Sequence, residues 1–211
     1  HKQRPKNKLK SNNKMAKRKK SNGTTTLRII DSEAPVIRIT AAALKDGYCN
    51  YTYLVQQGIG VGNVHNVKGK GLATKDLFEA MSKINVHMAC VDGAFKHAGI
   101  EIRDTSSMHG HEITTDYTVT GINMRGSEDE PAVILHGNKR AIGVSGEMEL
   151  KTPKIELDGL SSYHHAASLS WAVDTVLKEV ILYHEGKYTS VIDATTELEE
   201  GSINFEDAEI E

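Results

Sequence analysis

Two stretches near the beginning of the chain alternate apolar with polar residues, and this pattern predicts a β-hairpin. Residues 34–44 are rich in β-branched side chains, and residues 48–55 place Tyr51 and Tyr53 on the same face of a strand. The dipeptide Asp46-Gly47 between the two stretches is typical of a two-residue hairpin turn. We therefore expect two antiparallel strands joined at this dipeptide.

Two other segments carry apolar residues at helical spacing. The first begins at Thr74, a favourable N-cap residue, and continues to about Cys90. The second covers residues 163–184 and is followed by Gly186, a residue type that commonly terminates helices. The five glycines of residues 57–71, between the hairpin and the first helix, predict a flexible loop instead.

Short apolar and β-branched runs between the two helices predict a β-meander. They lie at residues 113–124, 132–135 and 144–150, with Ile155 and Leu157 after them. No internal repeat is evident. The predicted fold class is therefore α+β: an antiparallel sheet made from a β-hairpin, a helix, a β-meander and a C-terminal helix, with the two helices packed on one face.

The two ends of the chain differ in charge from the middle. Residues 1–20 hold ten Lys and Arg and no acid, whereas residues 193–211 hold eight acids and no base. The formal net charge of −2 hides this gradient, since residues 21–192 carry 16 basic and 20 acidic side chains. We expect a disordered basic tail over residues 1–26, a single α+β domain over 27–192 and a disordered acidic tail over 193–211.

The cellular compartment is predicted from hydropathy and cysteine usage. No apolar run of about 18 residues occurs, which argues against a membrane partner, and we expect no signal peptide. Cys49 and Cys90 stand in unrelated contexts, a pattern that favours two buried, reduced thiols. We accordingly expect a cytoplasmic protein.

Candidate catalytic and metal-binding groups form no complete set. His109-x-His111, followed by Glu112, would place two imidazoles on one face of a strand, but the further ligands of a zinc site are not nearby in the sequence. Residues 58–62 lack the Gly-Lys-Ser/Thr ending of a phosphate-binding loop, and no Gly-x-Ser-x-Gly nucleophile elbow occurs. We expect no catalytic residue, metal or cofactor, and a metal-dependent enzyme built on the histidine pair is retained as a third hypothesis.

Aromatic and basic side chains supply a candidate nucleic-acid-binding set. Tyr51 and Tyr53 share a strand face, as a platform for stacked bases requires, and a place in the core is the alternative for both. Cations in the glycine-rich loop and at the strand ends would contact the phosphate backbone, with a solvated turn as the alternative. The predicted set is Tyr51, Tyr53, Lys68, Lys70, Arg125, Lys139 and Arg140.

The acidic tail predicts a contact with a protein partner. Apolar anchors among carboxylates are typical of short docking peptides, which fill a pocket with a basic rim. Single-stranded-DNA-binding proteins end in tails of this chemistry, and a solubilising tail is the alternative. The predicted partner-binding residues are Ile203, Phe205, Glu206 and Asp207.

About half of the chain resembles a group of small phage-encoded proteins. The similar segments are residues 75–80 (KDLFEA), 117–121 (YTVTG), 132–137 (AVILHG) and 179–187 (EVILYHEGK). The resemblance implies a role beside DNA replication or recombination genes, in the cytoplasm of a bacterial host cell, and it assigns no catalytic residue. Some members end in a clamp-binding-like peptide of Gln, Leu and Phe, but residues 202–205 (SINF) lack the Gln.

Two functional hypotheses follow from the sequence. The first is a single-stranded-DNA-associated phage protein, whose sheet face or loops hold the strand and whose acidic tail recruits replication or recombination proteins. The alternative is a non-enzymatic protein-protein interaction module that binds no nucleic acid, which the excess of acids in residues 21–192 favours. Homo-oligomerisation stays open.

Overall fold

An antiparallel sheet covered by helices makes up the described part of the chain. The computed structural model describes residues 36–56, 62–140, 146–159 and 161–189. The strands are β1 (Val36–Lys45), β2 (Tyr48–Gln56), β3 (Asn63–Val67), β4 (Tyr117–Gly126), β5 (Pro131–Arg140), β6 (Glu147–Lys151) and β7 (Ile155–Glu156). The helices are α1 (Lys75–Ser82), α2 (Asn85–Val91), α3 (Ala94–His97), α4 (Glu112–Thr115) and α5 (Ala166–His184), and a 3-10 turn spans Ser106–Met108.

All strand pairings in the sheet are antiparallel. The order is β3-β2-β1-β4-β5-β6, and β7 pairs with β5 beyond the end of β6. Alternate strand residues such as Ile39, Ile122 and Leu135 are almost inaccessible and join the same core as Leu77 of α1 and Val176 of α5. The predicted α+β class, with the helices on one face of an antiparallel sheet, is confirmed.

The order of the elements repeats a unit of three strands followed by helices. β1, β2 and β3 precede α1 and α2, and β4, β5 and β6 precede α5. The packing is exchanged between the two units, because α5 contacts β1 and β2 while α1 and α2 contact β4. α1 and α5 also contact each other. The helices of each unit therefore lie against strands of the other, β1 and β2 in one case and β4 in the other.

The predicted hairpin is confirmed at the Asp46-Gly47 turn. Both residues have positive φ, 52° at Asp46 and 81° at Gly47, as the tight turn between right-twisted strands requires. The pairing then runs from Lys45↔Tyr48 to Val36↔Gln56. Asp and Gly are the residue types that accept this backbone most readily, which is why the dipeptide predicted the turn.

The expected flexible loop over residues 57–71 is wrong in its middle part. Residues Asn63–Val67 form β3, which pairs with β2 from Val55↔Asn63 to Tyr51↔Val67. Two β-branched residues, Val64 and Val67, and the free edge of β2 favour the extended conformation there. The glycines on either side of the strand led to the prediction of a loop. Residues 57–61 lie outside the described part of the chain.

The expected continuous helix from Thr74 to about Cys90 is interrupted. Its start is confirmed, since the Thr74 hydroxyl accepts a hydrogen bond from the Leu77 N–H (3.4 Å). The chain then turns at Lys83 and Ile84 before α2 begins. This turn brings the side chain of Asn85 to β4, where its oxygen accepts the N–H of Val119 at 2.8 Å. The buried Val119 N–H, which lies next to the register shift between β4 and β5, thereby gains a hydrogen-bond acceptor.

The boundaries of the later elements also differ from the expectation. The strand predicted over residues 113–124 begins only at Tyr117, because α4 occupies Glu112–Thr115. The last helix begins at Ala166 rather than 163 and ends as expected before Gly186, whose φ is 104°. Sequence patterns locate element centres better than their ends, where side-chain caps and turns decide.

The titratable side chain of His87 is buried in the core beneath the sheet. Its side chain is 1% exposed, and its Nδ1 lies 2.8 Å from the hydroxyl of Tyr163. Burial, together with the fields of His165 and His109, lowers the pKa of His87 to about 3. The imidazole is therefore neutral in the folded protein at every moderate pH.

We expect His87 to remove about 2 kcal/mol from the free energy of unfolding between pH 7 and pH 5. The folded-state pKa of about 3 lies below the ordinary value of 6.5, so the unfolded chain takes up a proton that the folded chain refuses. Stability attributable to this group is thus lost as the pH falls below 6.5. Urea unfolding at both pH values measures this change in the free energy of unfolding.

The matched variant for this experiment is His87→Gln. Glutamine keeps a hydrogen-bonding group near Tyr163 but does not titrate, so its loss of stability between the two pH values should be smaller by the same amount. An equal loss in both proteins would contradict the assignment.

Candidate nucleic-acid interface

The sheet face opposite the helices, which we call the open face, carries small and polar side chains. Because side chains alternate along a strand, the residues between the buried ones belong to this face. They include Ala41, Ala43, Asn50, Thr52, Thr118, Asn123, His136 and Asn138. Leu54, Val64 and Ile134 add apolar surface to this face. The side chains around Ala43 and Gly121 are small or polar and suit a polar ligand.

A trough with a volume of about 840 Å³ lies on this face, across the middle of the sheet. Its floor consists of Ala41, Ala43 and Gly121, and Ala43 pairs directly with Gly121. Its lining also includes the apolar residues Ala42, Val67 and Ile122, and amide, hydroxyl and imidazole groups: Asn50, Thr52, Asn66, Thr120, Asn123 and His136. Since the floor side chains are so small, a bound molecule can approach the backbone closely and still reach these polar groups.

The charges around the trough are mainly positive. Lys45 and Lys68 line it, and Asp46 is the single carboxylate among its lining residues. Arg125 follows two positions after Asn123, and its guanidinium lies 3.3 Å from the Asn123 amide group. Burial and then the charge of Lys151 lower the pKa of His136, so this imidazole stays neutral and can both donate and accept hydrogen bonds.

Two matching bulges shape the trough. The pairing register shifts at Thr40 in β1 and at Thr120 in β4, the two central strands. Each threonine hydroxyl donates to a carbonyl of the neighbouring strand, Thr40 to Thr52 at 3.3 Å and Thr120 to His136 at 3.5 Å. A bulge bends its strand and increases the local twist, so this pair of bulges curves the centre of the sheet.

A second, smaller cavity adjoins the trough at the end of β3. Its volume is about 250 Å³. It shares Tyr51, Val67 and Lys68 with the trough, and its remaining lining residues are Gly69, Lys70, Tyr183, His184 and Tyr188. The two spaces therefore share three lining residues, but the cavity lies on the helix side of the sheet edge, where Tyr183 and His184 of α5 form part of its wall.

The aromatic groups of this cavity are held by one another. The Tyr51 hydroxyl lies 2.8 Å from Nδ1 of His184, and the ring centroids of Tyr183 and Tyr188 are 4.8 Å apart in an edge-on arrangement. Burial, with the neighbouring tyrosines, raises the pKa of Tyr51 to about 12, so its hydroxyl keeps its proton. Edge-on ring contacts of this kind fix ring positions and leave faces for a ligand at the cavity mouth.

The sequence Gly69-Lys70-Gly71 explains how two lysines reach the cavity. A Cβ atom at Gly69 would come within 2.6 Å of the Cys49 carbonyl oxygen, and one at Gly71 would collide with the Tyr188 ring at 2.5 Å. The Tyr183 hydroxyl donates to the Gly71 carbonyl. The two glycines let the loop lie directly against these groups, while Lys68 and Lys70 remain exposed.

Four residues of the predicted nucleic-acid set lie close to this cavity. Tyr51 lines it but is 7% exposed on the helix side, which corresponds to the core alternative. Tyr53 is half-buried and stacks on His65, with 4.9 Å between ring centroids. Lys68 and Lys70 line the cavity and are exposed. The tyrosines therefore do not form a stacking platform on the open sheet face.

The other predicted cations are divided between the two faces. Arg125 belongs to the open face, and Arg140 is exposed at the end of β5. Lys139 points to the helices, where its Nζ lies 2.6 Å from an Asp92 oxygen and 5.1 Å from the Tyr117 ring centroid. An ammonium held in this way is already neutralised, so its placement does not fit a contact with phosphate.

The remaining sequence candidates are placed as follows. His109 and His111 do not lie on a strand as expected: His111 caps α4, with its Nδ1 accepting the Ile113 N–H at 3.2 Å. In the described residues, no group of three or more His, Cys, Asp and Glu side chains could hold a metal ion. Burial raises the pKa of the Cys49 thiol to about 12 and raises that of Cys90. Ile203, Phe205, Glu206 and Asp207 lie outside the described residues.

Most of the residues that line the trough were not predicted from the sequence. Asn50 and Thr52 occupy alternate positions of β2, a signal that could have predicted a polar face opposite the tyrosines. Gly121, Asn123 and His136 carry no comparable signal, because strand order alone brings them beside β1. His184 and Tyr188 lie distant in sequence from Tyr51.

Comparison with protein-family models, with curated proteins and with solved structures finds no match to the chain. None of the helices in the described ranges is long and apolar enough to cross a membrane.

The close approach of the Gly-Lys-Gly loop gives a testable expectation. Gly69→Ala should lower the free energy of unfolding by about 1–3 kcal/mol, because its methyl group would overlap the Tyr183 hydroxyl and the Cys49 backbone. Urea unfolding monitors the change. Gly110→Ala is the control: nothing lies within 4 Å of its new methyl group, so its effect should stay within about 0.5 kcal/mol. Equal effects of the two variants would refute the close packing.

Proposed function

We propose that this chain is a phage protein of DNA replication or recombination that holds single-stranded DNA on the open face of its sheet. The observation that carries the proposal is the trough: a floor of small side chains, polar groups around it and cations at its rim. Its role is binding rather than catalysis. The acidic C-terminal residues 193–211 then recruit a protein partner.

The chemistry of the trough suits a nucleic acid strand. Lys45 and Lys68 supply positive charge for phosphates, and Arg125 extends it along β4. Asn50, Asn66 and Asn123 offer both donors and acceptors, which suit the sugar and the edges of unpaired bases. Tyr51 and Tyr53 of β2 lie on the other side of the sheet, so neither ring can stack on a base in the trough.

The small excess of acidic side chains in residues 21–192 is compatible with the proposed binding of DNA. Binding depends on the charge that faces the ligand rather than on the sum over the whole surface. Asp46 is the one acid among the trough residues, against Lys45 and Lys68. The acids of β6, Glu147 and Glu149, are not among the trough-lining residues.

The first test is a fluorescence-anisotropy titration of the full chain with labelled oligo-dT of about 20 nucleotides. We expect binding that weakens steeply with salt. Changing both trough lysines, Lys45→Gln and Lys68→Gln, should reduce the slope of log K against log salt by about 1.4, roughly 0.7 for each lost phosphate contact.

The control for this test removes the same charge elsewhere. Lys75→Gln with Lys96→Gln changes two exposed lysines of the helical layer and should leave the slope near the wild-type value. No binding at roughly tens of micromolar protein, with and without residues 193–211, would eliminate the proposal.

Three large apolar side chains that are exposed on the helices favour the second candidate function, a protein-protein interaction module. Trp171 of α5 is 63% exposed, Phe78 of α1 is 43% exposed and Leu182 of α5 is 38% exposed. Lys83 lies over the Trp171 ring, with 5.9 Å from Nζ to the centroid. Large exposed side chains on two contacting helices are typical of protein contact surfaces. Loss of partner capture in Trp171→Ser, but not in the double lysine variant of the trough, would favour this function.

A further inference from the structure

The smaller cavity at the edge of the sheet combines features that the trough lacks. Its volume of about 250 Å³ is below the usual range for drug-sized ligands, roughly 300–1,000 Å³. It therefore has room for one base and its sugar, and not for a stacked series of bases. Its walls are aromatic, with Tyr51, Tyr183 and Tyr188 among the lining residues, together with the imidazole of His184.

Two cations stand at this cavity without an ion-pair partner in the described residues. Lys68 and Lys70 are both exposed and both line it. The ion pairs of the described chain engage other lysines, such as Lys187 with Asp76 and Glu179. Two free ammonium groups beside an aromatic cavity suit a ligand that carries an anion on a flat ring system.

The polar groups inside the cavity can select such a ligand. Where the protonated Tyr51 hydroxyl donates to Nδ1 of His184, the imidazole proton lies on Nε2. Nε2 makes no hydrogen bond to another described residue, so it remains a donor for a ligand. Tyr188 is 43% exposed, and its ring therefore offers a surface against which a base can lie.

We propose that this cavity binds a single phosphorylated nucleotide, with the base against Tyr188 and His184 and the phosphate between Lys68 and Lys70. The nucleotide can be the phosphorylated end of a DNA strand or a free mononucleotide, and both present the same chemistry. The strand-end form rests on the proposed function: the strand would lie in the trough and its end would enter the cavity past Lys68, which both spaces share.

Calorimetric titration of the full chain with dTMP, thymidine and inorganic phosphate tests the cavity alone. We expect dTMP to bind more tightly than either fragment, because it alone uses both the aromatic wall and the lysines. Tyr188→Ala should weaken dTMP binding about tenfold, the loss of one stacked base. Lys70→Gln should weaken it roughly fivefold, the loss of one phosphate contact.

Matched variants guard against effects on folding. Tyr48→Ala removes a tyrosine of similar exposure, 40%, that does not line the cavity, and Lys96→Gln removes an exposed lysine of the helical layer. Both should bind dTMP as the wild type does. Binding of dTMP no tighter than of phosphate, or equal losses in Tyr188→Ala and Tyr48→Ala, would overturn the inference.

Oligo-dT with and without a 5′-phosphate separates the two sources of the nucleotide. Roughly fivefold tighter binding of the phosphorylated strand, abolished by Lys70→Gln, supports a strand end, whereas binding of dTMP without this preference supports a free nucleotide. Oligo-dT binding that depends on Lys45 without any dTMP binding would refute the cavity assignment and leave the proposed function standing. Binding of dTMP without oligo-dT binding would refute the proposed function and leave the cavity assignment standing.

Discussion

The pairing of β1 with β4 is the contact on which both the fold and the trough depend. Three residue pairs form it: Ala41↔Asn123, Ala42↔Ile122 and Ala43↔Gly121. A Cβ atom at Gly121 would lie 3.0 Å from the Ala42 carbonyl oxygen and 3.3 Å from the Ala43 Cβ. The small residues that let the two strand units meet are therefore the same ones that form the trough floor, and a larger side chain there would disturb both.

Local sequence patterns predicted those parts of the fold that depend on local physics. The Asp46-Gly47 turn, the Thr74 cap and the Gly186 helix end all follow from the backbone preferences of the residues themselves. β3 was missed because a strand at a sheet edge is stabilised by its neighbour β2 more than by its own composition. The turn at Lys83 was not predicted, because the group that accounts for it, the Val119 N–H bound by Asn85, lies on β4 and far along the chain.

The candidate site also has parts that local patterns predicted and parts that they did not. Lys68 and Lys70 were predicted from the glycine-rich loop, and the structure brings both beside Tyr51 at one cavity. The periodicity of β2 predicted that Tyr51 and Tyr53 share a face, but not which face the helices cover. Lys139 was predicted as a free cation, whereas its partner Asp92 lies 47 positions away in the sequence. Contacts at such separations depend on strand order, which residue patterns do not encode locally.

The exchanged packing of the helices has a consequence for the energetics of binding. Because α5 covers strands of the first unit and α1 and α2 cover a strand of the second, neither unit can open without uncovering apolar surface of the other. β2 and β4 therefore belong to one cooperative unit. A scaffold of this kind is already ordered before a ligand arrives, so the entropy lost on binding the proposed DNA strand would fall mainly on the strand and not on the protein.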